Sequence, residues 1–317
     1  MKETFCKERQ VRLVEHYQVV IIGGGTAGFS AALYAARSGL SVLVVENNLP
    51  GGQIVTSPDV ENYPGIEHIS GFDFVETLKR QAESFGAQLL SGQPSEYVLS
   101  GTKKTLTVSG KTITADTVII ANGAKHRKLG CPGEEEFSGR GVSYCATCDG
   151  AFFRGKDVCI IGGGNTALDD ALYLAKLCRK VYLVHRRDSF RASAVTVDAV
   201  LKHEKIEFIP NSQVKQIRGG MKVESVILVD KQGNESERKV DGVFVAVGLQ
   251  PENKEFAPEV TLDEAGYIVA DESCKTNLPG VFVAGDTRTK LLRQLVTAAA
   301  DGAVAATQAA QYLQELA

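Results

Sequence analysis

Between Tyr144 and Gly150 the chain reads YCATCDG: Cys145 and Cys148 stand two residues apart, and an acid, Asp149, follows at once. Thiols at this spacing suit disulfide exchange, because a C-x-x-C pair closes a small ring and lowers the pKa of one thiol. Two other uses compete. A structural zinc site needs four ligands, typically a second C-x-x-C or a histidine pair at short spacing. His16, His68, His126, His185 and His203 show no such spacing, so no metal site is expected. An inert structural pair is the other alternative. The remaining cysteines, Cys6, Cys131, Cys159, Cys178 and Cys274, are scattered, unlike the framework of a small secreted domain. Lone cysteines are more often buried small hydrophobes than catalysts, which suits Cys159 and Cys178 on their strand and helix patterns.

The pair is placed just ahead of a glycine-rich turn, and that turn belongs to a repeat. Residues 18–46 read QVVIIGGGTAGFSAALYAARSGLSVLVVE and residues 157–185 read DVCIIGGGNTALDDALYLAKLCRKVYLVH, at a constant offset of 139 with no gap. Each is a β-branched run, a G-x-G-x-x-[GA] turn, an apolar-periodic helix and a second β-branched run. Such βαβ units build a parallel sheet. Gly23 and Gly162 allow the tight turn, Gly25 and Gly164 admit a pyrophosphate, and Gly28 and Ala167 let the helix lie close on the strand. The helix N-terminus then offers N–H groups to the phosphates. One such match is weak; two in register are strong.

The end of the second strand discriminates the nucleotide. Glu46 stands there in the first unit, and a carboxylate bonds a ribose with free hydroxyls. The same step in the second unit lands on His185, followed by Arg186 and Arg187, with Arg191 nearby. A cationic cluster suits a 2′-phosphate. The first unit is therefore expected to hold an adenosine without a 2′-phosphate, as in FAD or NAD, and the second to hold NADPH. A solvated basic loop is the bland reading of HRRDSFR.

The elements around these turns predict an α/β chain of two Rossmann-like domains, one inserted into the other. GGQIV at 51–55, VENYPG at 60–65, the strand DTVIIANGA at 116–124 and the strand–Gly285-Asp286–helix pattern near the C-terminus all punctuate the first domain. The divisions are 1–16 as an N-terminal extension, 17–126 with 251–317 as the outer domain, and 127–250 as the inserted domain carrying the cysteine pair. Net charge is −3, which gives no electrostatic case for nucleic acid or an anionic membrane. No apolar run reaches the roughly 18–20 residues of a membrane helix, and the charged first residues lack a secretory apolar core. A cytoplasmic protein is expected.

Taken together, GGGTAG, GGQ, VENYPG, CATCDGAFFRGKDVCIIGGGNTA, HRRDSFRA and VFVAGDTRTKLLRQLVTAAADGAVAA resemble the bacterial-type, low-molecular-weight thioredoxin reductases over about residues 17–315. The resemblance implies a homodimer with FAD, hydride transfer from NADPH, reduction of a Cys145–Cys148 disulfide and exchange with thioredoxin. It implies that Asp149 donates or accepts a proton, that Cys145 is the exchanging thiol and that Cys148 faces the flavin. It assigns Gly23, Gly25, Gly28, Glu46, Gly52, Gln53, Asn62, Gly285, Asp286, Arg293 and Gln294 to FAD. It assigns Gly162, Gly164, Asn165, Thr166, Ala167, His185, Arg186, Arg187 and Arg191 to NADPH. Three departures bear on the flavin's surroundings: Thr26 for a proline, Asn122 for a threonine and Ala300 for a glycine. The thiol pair and the nicotinamide both need the flavin ring, so the inserted domain is expected to swing between two poses. Alternatives keep the chemistry and change the partner, to a peroxiredoxin-linked or glutaredoxin-like protein or to ferredoxin as donor, or make the chain a non-catalytic flavin redox sensor.

Overall fold

The run His16–Ile22 ends in four β-branched residues, Val19, Val20, Ile21 and Ile22, and it forms an inner strand of a seven-stranded sheet. The structure, a computed structural model, describes residues 16–47, 49–57 and 59–316. The sequence expectation of an N-terminal extension, with Cys6, falls on residues 1–15, outside the described residues; His16 already belongs to the strand. The chain divides into two units, Met1–Lys125 with Gln250–Ala317, and His126–Leu249. It passes between them twice, and the segments that do so, Ala124–His126 and Leu249–Pro251, run as paired short strands.

In the first unit, His16–Ile22 lies parallel between Val42–Glu46 and Lys111–Ile120, with Val20 opposite both Leu43 and Val118. Val19, Val20 and Ile21 are wholly buried, as a strand covered on both faces requires. Gln88–Ser91 extends one edge. On the other side Lys104–Val108 and Pro94–Val98 continue the sheet antiparallel, while the C-terminal half of Lys111–Ile120 also takes Val281–Val283 in parallel. Helix Thr26–Arg37 packs against helix Leu295–Leu316 through alanines, including Ala27, Ala31, Ala305 and Ala309. Small residues permit a close approach: a Cβ on Gly302 would stand 2.2 Å from the Ala27 carbonyl oxygen. The Ser30 hydroxyl donates to the Ala299 carbonyl across this contact at 2.6 Å.

The second unit repeats the plan. Its five-stranded parallel sheet runs in the order Ile206–Ile209, Lys180–Val184, Asp157–Ile161, Gly242–Val245 and Val142–Ser143. Helix Asn165–Leu177 follows the glycine turn. A separate antiparallel sheet is formed by Ser212–Gly219, Val223–Asp230 and Glu235–Lys239, with Val226, Ile227 and Leu228 buried in its middle strand and the edge strand Glu235–Lys239 wholly polar. The edge strand Val142–Ser143 leads directly into the short helix Ala146–Asp149, so the C-x-x-C segment is carried at the rim of the parallel sheet. No helix among the described residues is long and apolar enough to cross a membrane.

Candidate active site

Cys145 and Cys148 are joined by a disulfide, their Cα atoms 5.3 Å apart. Cys145 is the N-cap of the helical turn 146–149, and its Sγ accepts the Cys148 N–H at 3.2 Å. An N–H aimed at sulfur favours negative charge there once the disulfide opens. The Thr147 hydroxyl lies 3.4 Å from the same sulfur. Asp149 closes the turn: its N–H donates to the Cys145 carbonyl at 3.1 Å, and its Oδ2 accepts the Ser143 hydroxyl at 2.6 Å. Burial holds the Asp149 carboxyl above its ordinary pKa, and the Ser143 bond acts against that rise. The other described cysteines are unlike this pair. Burial pushes the Cys131 and Cys178 thiols up to about 11 and those of Cys159 and Cys274 to about 12. Cys159 lies in a central strand, as its pattern predicts.

The first glycine turn is built by collisions that glycine avoids. Gly23 has φ +107°, and a Cβ there would meet the Ala121 carbonyl oxygen at 2.4 Å. A Cβ on Gly28 would stand 1.9 Å from the Gly23 carbonyl oxygen, so strand and helix touch here. Gly25 differs: only the Gly51 carbonyl oxygen, 3.9 Å away, lies near its Cβ position. That open face is where a phosphate would approach the N-terminus of helix Thr26–Arg37. Glu46 ends the second strand, 9% exposed, with Oε2 accepting the Gly24 N–H at 2.7 Å. Gly51 donates to the Gly24 carbonyl at 2.8 Å, which brings Gly52 beside Gly25. Gln53 donates to the Ala124 carbonyl, and Asn62 to the Gln294 side chain at 3.2 Å. Arg293 lies 4.1 Å from the centre of the Tyr267 ring and donates to the Asp286 carbonyl at 3.3 Å. A Cβ on Gly285 would meet the Ala27 Cβ at 2.8 Å, so the Gly285-Asp286 turn sits against the start of the same helix.

The second turn matches the first. Gly164 has only the Arg191 carbonyl oxygen, 4.0 Å away, near its Cβ position, while a Cβ on Gly162 would stand 2.5 Å from that of Ala167. Arg191 donates its N–H to the Gly163 carbonyl at 2.7 Å, and Asn165 Oδ1 accepts the Ser193 N–H at 3.0 Å, so the arginine loop is tied to the turn. His185 does not project outward with the arginines: its ring packs over Gly163 and stacks on Phe190 at 5.9 Å. Thr166, Arg186, Arg187 and Arg191 are exposed, and the three guanidinium groups form no ion pair among the described residues.

The residues present fit two dinucleotides. Among the described residues, the buried side-chain atoms left without a hydrogen bond are Asn122 Oδ1, His185 Nε2, Asn211 Oδ1 and Asp286 Oδ1. Asp286 and His185 are residues assigned above to the two cofactors, and Asn122 follows the Ala121 carbonyl that crowds Gly23. Buried polar atoms in native proteins seldom stay unpaired, so the orphans at Asp286 and His185 suit a ligand hydroxyl, amide or a water. Burial also keeps the Asp286 carboxyl above its ordinary pKa, against the pull of Lys290 and Arg293. Of the three departures, Thr26 is buried at the helix start, Asn122 donates to the Glu252 carbonyl at 3.0 Å, and Ala300 is exposed.

Sequence reasoning missed several supports. Ser143, 5% exposed, precedes the pair by two residues and carries no motif of its own. Asp301 accepts the Gly285 N–H at 2.9 Å, both Arg288 Nε and Nη2, and Lys290 Nζ, bracing the turn that presents Asp286. Asn253 bonds the Gly266 and Thr287 carbonyls and the Thr287 hydroxyl. Asp59, Glu61 and His68 also come together, an exposed ion group that histidine spacing does not reveal.

Residues 17–302 match the family described as Pyridine nucleotide-disulphide oxidoreductase. The chain is 49% identical over 302 residues to a thioredoxin reductase of Listeria innocua, covering 95% of each, and 44% identical over 302 residues to that of Bacillus subtilis, covering 95% of this chain and 96% of the relative. The crystal structure of thioredoxin reductase from Streptococcus pyogenes superposes with a TM-score of 0.90 at 42% identity, over 95% of this chain and 99% of that one. With a C-x-x-C disulfide and two glycine turns in the places that family chemistry requires, the chain belongs to the pyridine nucleotide-disulphide oxidoreductases and, within them, to the bacterial-type thioredoxin reductases.

Proposed function

We propose that the protein is an FAD-dependent enzyme that uses NADPH to reduce the disulfide of thioredoxin through Cys145 and Cys148, working as a cytoplasmic homodimer. The observation that carries this reading is the Cys145–Cys148 disulfide with Asp149 beside it, in the same unit as a glycine turn flanked by arginines without acidic partners. Gly23, Gly25, Gly28, Glu46, Gly52, Gln53, Asn62, Gly285, Asp286, Arg293 and Gln294 would hold FAD. Gly162, Gly164, Asn165, Thr166, Ala167, His185, Arg186, Arg187 and Arg191 would hold NADPH, the arginines bearing on the 2′-phosphate. Flavin, when bound, takes hydride from a nicotinamide and passes two electrons to sulfur.

The chain's own groups do the rest. Two electrons and one proton open the disulfide to a Cys145 thiolate and a Cys148 thiol, with Asp149 protonated. The thiolate, favoured by the Cys148 N–H, attacks the partner disulfide; the partner's departing sulfur takes the Asp149 proton. Cys148 then gives its proton to Asp149 and attacks the Cys145 sulfur of the mixed disulfide. The partner's second sulfur leaves as thiolate and takes a proton from water. The net change is one NADPH and one proton consumed per thioredoxin disulfide reduced. Anaerobic addition of NADPH should bleach the flavin, NADH should not, and oxidised thioredoxin should restore the colour. Bleaching without recovery on thioredoxin would reassign the partner, and no bleaching by NADPH would remove the enzyme reading.

A further inference from the structure

The C-x-x-C turn is tied to its sheet by one side chain outside the motif. Ser143 ends the edge strand Val142–Ser143, paired with Phe244 of Gly242–Val245, and is 5% exposed. Its oxygen accepts the Cys145 N–H at 3.1 Å and donates to Asp149 Oδ2 at 2.6 Å. The Cys145 carbonyl is a second acceptor within reach at 3.3 Å, but a hydroxyl has one proton, and the shorter bond to the carboxylate is the charge-assisted one. The Asp149 N–H returns to that carbonyl at 3.1 Å. Ser143, Cys145 and Asp149 therefore form a closed ring of three hydrogen bonds.

We propose that Ser143 is a positioning residue for the thiol chemistry, fixing the Asp149 carboxyl against the C-x-x-C turn and setting the pH at which it releases its proton. This rests on the role given to Asp149 under the proposed function. Donation to a carboxylate stabilises the ionised form, so the serine lowers a proton affinity that burial raises. Helix Asn165–Leu177 packs beside the turn, with Leu174 and Tyr173 each 3.1 Å from where a Cβ on Gly150 would stand; its titratable groups are Asp169, Asp170, Tyr173 and Lys176. The strand Gly242–Val245 on the other side carries no titratable group.

The test uses the full-length flavin-loaded protein with aspartate labelled at the carboxyl carbon, the Asp149 signal identified by its loss in Asp149→Asn. Ser143→Ala should move the Asp149 midpoint upward by about one to two pH units, and Ser143→Thr, which keeps the hydroxyl, should restore it. The limb of the kcat/KM profile for thioredoxin on which activity falls as Asp149 loses its proton should move with the midpoint in Ser143→Ala and vanish in Asp149→Asn. A Ser143→Ala midpoint equal to the parent's overturns the inference. That limb unchanged in Asp149→Asn would instead remove Asp149 from the proton path while leaving the Ser143 effect on its midpoint readable. Should Ser143→Ala lose its flavin, Ser143→Gly provides the same comparison without the side chain.

Discussion

Two carboxylates of the first unit, the buried Asp301 and the half-buried Asp286, are shifted in opposite directions by their surroundings. Asp301 is pushed up by burial, but bonds from Arg288 and Lys290 outweigh this and bring its pKa below the ordinary value. Asp286 has no such bonds, and burial leaves its pKa raised. Replacing Asp301 by Ala strands the 2%-exposed Arg288 guanidinium and should cost about 3–5 kcal/mol in denaturant melts. The pH dependence follows from the sign of the shift. The unfolded chain binds a proton at Asp301 more readily than the folded one, so the stabilisation is complete above the unfolded carboxylate pKa and fades as pH falls through the lower folded value. The gap between parent and Asp301→Asn melting temperatures should therefore narrow below about pH 4, and a gap independent of pH would contradict it. In the second unit, Arg186→Ala with Arg187→Ala should raise the KM for NADPH about tenfold or more through lost charge-assisted bonds, leaving the KM for NADH nearly unchanged in steady-state assays.

At the scale of elements, the two glycine turns separate packing from binding. Gly28 is where helix Thr26–Arg37 touches its strand, with a would-be Cβ 1.9 Å from a carbonyl oxygen. Gly28→Ala should lower the stability of the unit by about 1–3 kcal/mol, since backbone cannot move aside as a side chain can. Gly25→Ala meets only one atom, at 3.9 Å, so the apoprotein should melt within about 0.5 kcal/mol of the parent. Its flavin affinity, read by titration of apoprotein with FAD, should nonetheless fall at least about tenfold, because the methyl stands where a phosphate approaches. Equal flavin affinity in Gly25→Ala would move the phosphates elsewhere.

At the scale of the molecule, two units joined by two chain passages suit the proposed reading, in which the thiol pair and the nicotinamide would take turns at one flavin ring. A verified covalent cross-link between the units should stop turnover with thioredoxin while the flavin absorption spectrum stays intact; undiminished turnover would rule out the swing. The sequence expectation puts the passages between residues 126 and 127 and between 250 and 251, where the second βαβ unit interrupts the first domain. The pairing of Ala124–His126 with Leu249–Pro251 has no sequence signal, since three-residue strands carry too little periodicity to read.

The amino-acid order alone specified what is local. The βαβ units, the glycine turns, the C-x-x-C segment with Asp149 and the arginine cluster all lie within windows of about thirty residues, where strand and helix periods and backbone sterics act directly. Only the folded chain decided which distant groups meet: Asp301 with Arg288 and the Gly285 N–H, Asn253 with Thr287, Asn122 with Glu252, and the packing of His185 over Gly163. Ser143 is the instructive intermediate, close in sequence to the pair yet silent, because a serine's hydrogen-bond partner is chosen by the direction of the backbone turn and not by the residue's type.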